Sequence, residues 1–267
     1  MTTAQLLIGS HVAAADPINE AQTRDADIVQ FFLGSPRRWS APTVSYPGGA
    51  AALLADTQAA NIGVYIHAAY LINVATSNNR VRIPSRTLLQ ATCTLASQIG
   101  ARGVVVHGGS VSADDDIQVG YDNWFKAIDA LETDVALLIE NTAGGQHSVA
   151  RHTASIARLW ERISTARAFN KVGFCLDTAH AFASGENFET LVSQLSAITG
   201  RIDLVHCNDS QSAAGTGADH HANLGQGQIP AADLIAVIKA AAAPVLVETP
   251  NGVVGQTADI AWLRALS

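Results

Sequence analysis

The chain has few charges, few cysteines and no long apolar runs, and each shortage excludes something. Three cysteines in 267 residues, Cys93, Cys175 and Cys207, are too few and too scattered for a disulfide framework. The longer apolar stretches, such as Ala240–Val247, fall far below the length that spans a bilayer. The opening MTTAQLLIGS has neither a basic flank nor a sustained apolar run, so no secretory signal is expected and the chain reads as cytoplasmic, without membrane association. A composition that is 48% hydrophobic and 15% charged excludes a disordered or fibrous chain. The net charge of −7 argues against general electrostatic attraction to nucleic acid. No linker, charge block or short repeat divides the sequence, so residues 1–267 are expected to form one domain.

What is present is an alternation. Short runs rich in Val, Ile and Leu recur between longer amphipathic or Ala-rich segments, as in successive βα units. Strands are predicted at Leu6–Val12, Asp27–Leu33, Gly63–Ala68, Gly103–Gly109, Val135–Thr142, Val172–His180, Ile202–Asp209 and Ala243–Pro250. Helices are predicted at Asn19–Arg24, Gly49–Ala60, Ser85–Ile99, Gln118–Leu131, Ser148–Ala168, Phe188–Ile198, Ala231–Ala240 and Thr257–Ala265. Ser85 and Pro230 serve as helix start signals. Continuous apolar strands are expected where both sheet faces are covered. Eight such units fit a closed α/β (β/α)₈ TIM barrel. An open doubly wound sheet is disfavoured because no Gly-rich phosphate loop follows the first strand.

Most of these apolar runs end in a residue that can bind metal. The third ends in His67, the fourth in His107, the fifth in Glu140, the sixth in Asp177 with His180, the seventh in His206 and the eighth in Glu248. In a parallel barrel those ends meet on one face. Singly, a strand-end histidine is more often a hydrogen-bonded structural residue, and a strand-end carboxylate a helix cap. Six strands in succession are harder to assign to chance. Carboxylates inside VALLIENT or VGFCLDTAH need a partner, and a cation is the simplest one. In the loop GTGADHHANLGQG, Asp219 and His221 can reach one ion that His180 could complete, and three protein ligands are the pattern of catalytic zinc. So many donors exceed the needs of one ion, so two or three ions are implied. Imidazole with carboxylate favours zinc or manganese.

Read along the chain, IGSHV, FFLGSPRRW, YIHAAYLINVA, VVVHGGS, LIENTAG, CLDTAHAFASG, VHCNDS, DHHANLGQG and VLVETP resemble the endonuclease IV family of apurinic/apyrimidinic endonucleases. The likeness implies a barrel holding three zinc ions, with Mn2+ an option at one site. By position, His67, His107 and Glu140 would hold one ion. Glu140 would bridge to a second, also held by Asp177, His206 and Glu248. His180, Asp219 and His221 would hold a third. It further implies hydrolysis of the phosphodiester 5′ to an abasic site in double-stranded DNA, removal of 3′-blocking groups, and action as a monomer. Glu140 is the catalytic candidate, expected to orient the nucleophile. Arg37, Tyr70 and Leu71 match residues that enter the DNA stack in the family. The alternatives are a solvated basic loop for Arg37 and core packing for Tyr70 and Leu71. Ala15-Asp16-Pro17, Gly108 and Gln226 depart from the family pattern, which bears on loops rather than ligands.

Other polar residues read as structural. His11 is expected to line the barrel, His147 and His152 to be solvated, and Cys175 and Cys207 to be buried as small hydrophobes. Three divalent ions would bring −7 to about −1, which answers the charge objection. The rival reading is a sugar isomerase or epimerase on a similar barrel. It would use one metal near Glu140, Asp177, His206 and Glu248 and have no need of His67, His107, His180, Asp219 or His221. A DNA-damage sensor without catalysis would have no use for a bridging carboxylate.

Overall fold

A computed structural model describes residues 6–145 and 147–266, so the first five residues of the opening MTTAQLLIGS lie outside the described residues. Eight parallel strands close into a barrel: β1 (Ile8–His11), β2 (Ile28–Phe32), β3 (Gly63–His67), β4 (Gly103–His107), β5 (Ala136–Glu140), β6 (Val172–Asp177), β7 (Leu204–His206) and a last strand, β10 (Val245–Val247), which pairs with both β7 and β1. Between β7 and β10 a small antiparallel ribbon joins β8 (Asp209–Ser210) to β9 (His221–Ala222). Each predicted strand run contains one barrel strand, and the TIM barrel read from the alternation is the fold.

Helices fill the connections: α1 (Pro17–Arg24), α2 (Gly49–Ala59), α3 (Asn79–Gln98), α4 (Gln118–Ala130), α5 (Thr153–Ile163), α6 (Thr178–Ser184), α7 (Phe188–Thr199), α8 (Ala231–Ala241) and α9 (Gly252–Arg264). Local chemistry starts and stops them. Asp16 caps α1 by accepting from the Asn19 N–H, with Pro17 in the first turn. Asn187 caps α7, and Gly200 ends it in the left-handed conformation.

Several boundaries differ from expectation. The third helix begins at Asn79, capped by Asn78, rather than at Ser85. Pro84 lies inside the helix and costs it the bond to the carbonyl of the exposed Arg80. Ser85 instead accepts from the Asn73 N–H and donates to the Val81 carbonyl. Residues 148–152 are not helical: Val149 N–H donates to the Gly109 carbonyl and Thr142 N–H to the Ala150 carbonyl, folding this segment back over the strand ends. The sixth run stops being a strand at Asp177, whose side chain caps α6, so His180 is reached from a helix. Finally, α9 begins at Gly252, earlier than Thr257, and the seventh strand stops at His206, leaving Asp209 to the ribbon.

The barrel interior is layered with the strand period of two. Ile28, Tyr65, Val105, Leu138, Cys175, Leu204 and Leu246 form a core cluster of their own, separate from the larger core between barrel and helices. Two residues further along the same strands stand Gln30, His67, His107, Glu140, Asp177, His206 and Glu248; β1 follows suit with Gly9 and then His11. An apolar floor therefore carries a polar layer at the carboxyl ends of the strands, where barrel enzymes place their chemistry. Gly9 has to be glycine, because a Cβ there would lie 1.6 Å from the Ile28 carbonyl oxygen.

Candidate functional site

Strand register sets the polar layer. His107 is the partner of Glu140 across β4 and β5, and Asp177 is the partner of His206 across β6 and β7. Glu140 is wholly buried at the centre. Its Oε1 accepts from His206 Nδ1 at 2.9 Å. Its Oε2 faces His67 Nε2 at 3.4 Å and His107 Nε2 at 3.3 Å, yet has no hydrogen-bond partner. Burial by itself would raise this carboxyl, but the imidazoles of His206 and His107 hold it well below the usual range.

The histidines are oriented by what their other ring nitrogen meets. His67 Nδ1 donates to the Ala68 carbonyl at 2.7 Å and His180 Nδ1 to the Asn141 carbonyl at 2.9 Å. Nε2 of each therefore faces the cluster. His221 Nδ1 lies 3.3 Å from the Glu248 carbonyl, and its Nε2 is buried without a hydrogen-bond partner. His206 is turned the other way, with Nδ1 inward and Nε2 against Gln30 Oε1 at 3.0 Å. Such anchoring fixes tautomer and ring plane, as is usual for histidines that bind metal.

A second focus lies beside the first. Asp219 places Oδ2 3.3 Å from His180 Nε2 and Oδ1 3.1 Å from His221 Nε2. Asp177 Oδ2 approaches His221 Nε2 to 3.8 Å, and the His180 ring nitrogen nearest Asp177 is Nδ1, also at 3.8 Å. That nitrogen is committed to Asn141, so Asp219 is the carboxylate that meets the free nitrogens. Burial pulls His180 and His221 down, but Asp177 and Asp219 outweigh it, so His180 is pushed up to about 10 and His221 to about 9. The same pairs hold Asp219 well below the carboxylate range, against the pull of burial.

Supporting bonds pin the carboxylates. Asn141 Oδ1 accepts from Asp177 N–H, and Asn208 donates to Asp177 Oδ2 while accepting from Glu248 N–H, each at 2.7 Å. Asp209 accepts from Gly227 and Ile229 N–H and thereby shapes the loop that follows β9.

Ligand atoms of His67, His107 and Glu140 lie within 4.8 Å of one another, as do those of Glu140, Asp177, His206 and Glu248. Buried, unpartnered Glu140 Oε2 and His221 Nε2, with five imidazoles set among four carboxylates, form a donor set that fits a borderline divalent cation. Cys175 lies near Glu140 and His206 as well. It belongs to the floor, and burial pushes its thiol up to about 12, which makes it a poor ligand.

The residues expected to meet DNA fall around the mouth. Tyr70 is 52% exposed, its ring 5.0 Å from that of Phe32, 5.5 Å from His67 and 6.0 Å from His107. Leu71 is half-buried and packs on the main core. Arg37 and Arg38 are exposed, as is Trp39 beside them.

His147 is partly buried, its Nδ1 3.0 Å from the Asp115 carbonyl, rather than solvated; His152 is exposed and pairs with Glu186 at 2.9 Å. Sequence reasoning overlooked Gln30, Asn141 and Asn208. Gln30 carried a readable signal, a polar residue two places after an inward apolar one. Asn141, directly after Glu140, and Asn208, two places after His206, carried none.

Known proteins share this arrangement of strands. The sequence model described as "Xylose isomerase-like TIM barrel" matches residues 18–266. "Probable endonuclease 4" of Mycobacterium leprae is 53% identical over 260 residues, covering 97% of this chain and 98% of that one. The chain belongs to the endonuclease IV family. As a member it is a hydrolytic enzyme. The crystal structure of endonuclease IV from Thermus thermophilus superposes with a TM-score of 0.82 at 28% identity, covering 97% of this chain and 98% of that one. A D-tagatose 3-epimerase-like protein superposes at 0.78 with 17% identity, covering 98% and 97%, a likeness of fold alone.

Proposed function

We propose that the chain is an apurinic/apyrimidinic endonuclease that hydrolyses the phosphodiester 5′ to an abasic site in double-stranded DNA, leaving a 3′-hydroxyl and a 5′-deoxyribose phosphate, and that it also clears blocked 3′ ends. The observation that carries the reading is the position of Glu140. One oxygen meets His206 and the other lies between His67 and His107, so a single carboxylate joins two sets of donors. A one-metal sugar isomerase has no use for that second set, nor for His180, Asp219 and His221.

On this reading His67, His107 and Glu140 hold one zinc ion. Glu140, Asp177, His206 and Glu248 hold a second, and His180, Asp219 and His221 a third; manganese suits one position as well. Bound zinc supplies Lewis acidity that brings water toward neutral pKa and offsets phosphate charge. The residues do the rest. Glu140, fixed by His206, orients the attacking water. The Ala68 and Asn141 carbonyls keep the His67 and His180 rings in their productive planes. Tyr70 covers the mouth, where with Leu71 and Arg37 it fills the gap left when the baseless sugar leaves the stack; a missing base makes that extrusion cheaper. The enzyme acts as a monomer in the cytoplasm.

The deciding experiment incubates purified protein with a duplex holding one abasic analogue, with and without chelator. A single cut 5′ to the lesion that disappears on chelation is expected. An intact duplex under zinc-loaded conditions overturns the reading, and one metal ion per chain with ketose-epimerising activity favours the rival.

A further inference from the structure

The orienting partners of His67 and His180 are backbone carbonyls, whereas that of His206 is the amide side chain of Gln30. Gln30 is wholly buried on β2, level with His11 across the β1–β2 pair. Its side chain makes three polar contacts. Its Oε1 lies 3.0 Å from His206 Nε2, and its Nε2 lies 2.7 Å from Glu248 Oε1 and 3.1 Å from His11 Nδ1.

The contacts to Glu248 and His206 admit one orientation of the amide. Were the amide turned over, its oxygen would stand against the Glu248 carboxylate with no proton between them. The oxygen therefore accepts from His206, whose proton must sit on Nε2, which leaves the Nδ1 lone pair facing Glu140 once a cation takes the place of the proton there. One amide hydrogen then goes to Glu248, and the other faces His11 Nδ1, which itself lies 3.2 Å from Glu248 Oε1.

The geometry points to Gln30 as a positioning residue of the metal centre, one that sets the tautomer of His206 and the rotamer of Glu248 together and so selects the donor atoms offered to the second ion. This rests on the metal reading proposed for the site. Partners of this kind are worth about ten- to a hundredfold in metal affinity.

Two near-isosteric variants test it. Gln30→Met keeps length and volume but offers neither acceptor nor donor. Gln30→Glu keeps an acceptor for His206 but sets a second carboxylate against Glu248. Zinc affinity is measured by competition with a chromophoric chelator, and the visible absorption of the cobalt-substituted protein reports ligand geometry. Both variants are expected to bind zinc about tenfold or more weakly at one site, with an altered cobalt spectrum. At saturating zinc, kcat falls while KM for the duplex stays close to wild type. Far-UV circular dichroism identifies a variant that has lost its fold, and the other then carries the test.

Wild-type affinity and spectrum in a folded variant would mean that Gln30 only fills space, which overturns this inference and leaves the metal reading standing. A wild-type protein that takes up no zinc overturns both.

Discussion

Glu140 and His107 stand side by side because β4 and β5 pair them in register, and the carboxylate Oε2 lies 3.3 Å from the imidazole Nε2 without forming a hydrogen bond. Two polar groups held that close, neither satisfying the other, are placed to share a third body beside them.

Replacing Glu140 by Gln keeps the shape and removes the charge. Cleavage of an abasic duplex is expected to fall about a hundredfold or more, since a ligand should matter at least as much as the groups that orient it. Duplex affinity should change little. Gel assays of cleavage and fluorescence anisotropy of binding, run on the same preparation, separate the two; near-normal cleavage would remove Glu140 from the chemistry.

Chelation should weaken DNA binding as well as abolish cleavage. The chain carries −7 overall, and three divalent ions would bring it to about −1 with the positive charge gathered at the mouth. Anisotropy titrations with and without chelator check this at fixed salt, and equal affinity in both would contradict it.

The metal-free protein should lose stability as pH rises. His180 is pushed from 6.5 up to about 10 and His221 from 6.5 up to about 9, burial opposing the shift and the Asp177 and Asp219 carboxylates driving it. For a raised pKa the stabilisation is full below the unfolded value near 6.5 and drains away as pH climbs through about 9 to 10. Zinc competes with those protons, so its affinity should rise over the same interval. Thermal unfolding of chelated protein at several pH values, with calorimetry of zinc binding in buffers of different ionisation heat, reads both signs. A chelated protein that grows more stable toward alkaline pH would refute the account.

Tyr70 and Leu71 should separate. Tyr70 is 52% exposed, so Tyr70→Ala should shift stability by no more than about 0.5 kcal/mol while weakening binding to abasic duplex more than to intact duplex. Leu71 is half-buried against the core, and Leu71→Ala should cost about 1–2 kcal/mol. Urea unfolding and paired binding assays distinguish them; equal loss of affinity for both duplexes in Tyr70→Ala would make Tyr70 a bystander.

How much of this was written in the sequence depends on the physics at each residue. The barrel was legible because eight apolar runs in a row need cover on both faces. The convergence of His67, His107, Glu140, Asp177, His206 and Glu248 was legible because parallel strands end together. The second focus was only half visible: Asp219 and His221 were recognisable by spacing, but that His180 projects from α6 depends on Asp177 acting as a helix cap, which an apolar run concealed. Helix boundaries failed where a side chain had a better offer from tertiary structure, as with Ser85 bonding Asn73 and Val81. Gln30 passed unnoticed because glutamine is neither a ligand nor a base, and its value appears only when β1, β7 and β10 bring His11, His206 and Glu248 around it.

The apolar floor of Ile28, Tyr65, Val105, Leu138, Cys175, Leu204 and Leu246 acts as a bulkhead. Among the described residues it closes the underside of the polar layer, so anything seated over the strand ends also governs how quickly that layer can be reached or emptied.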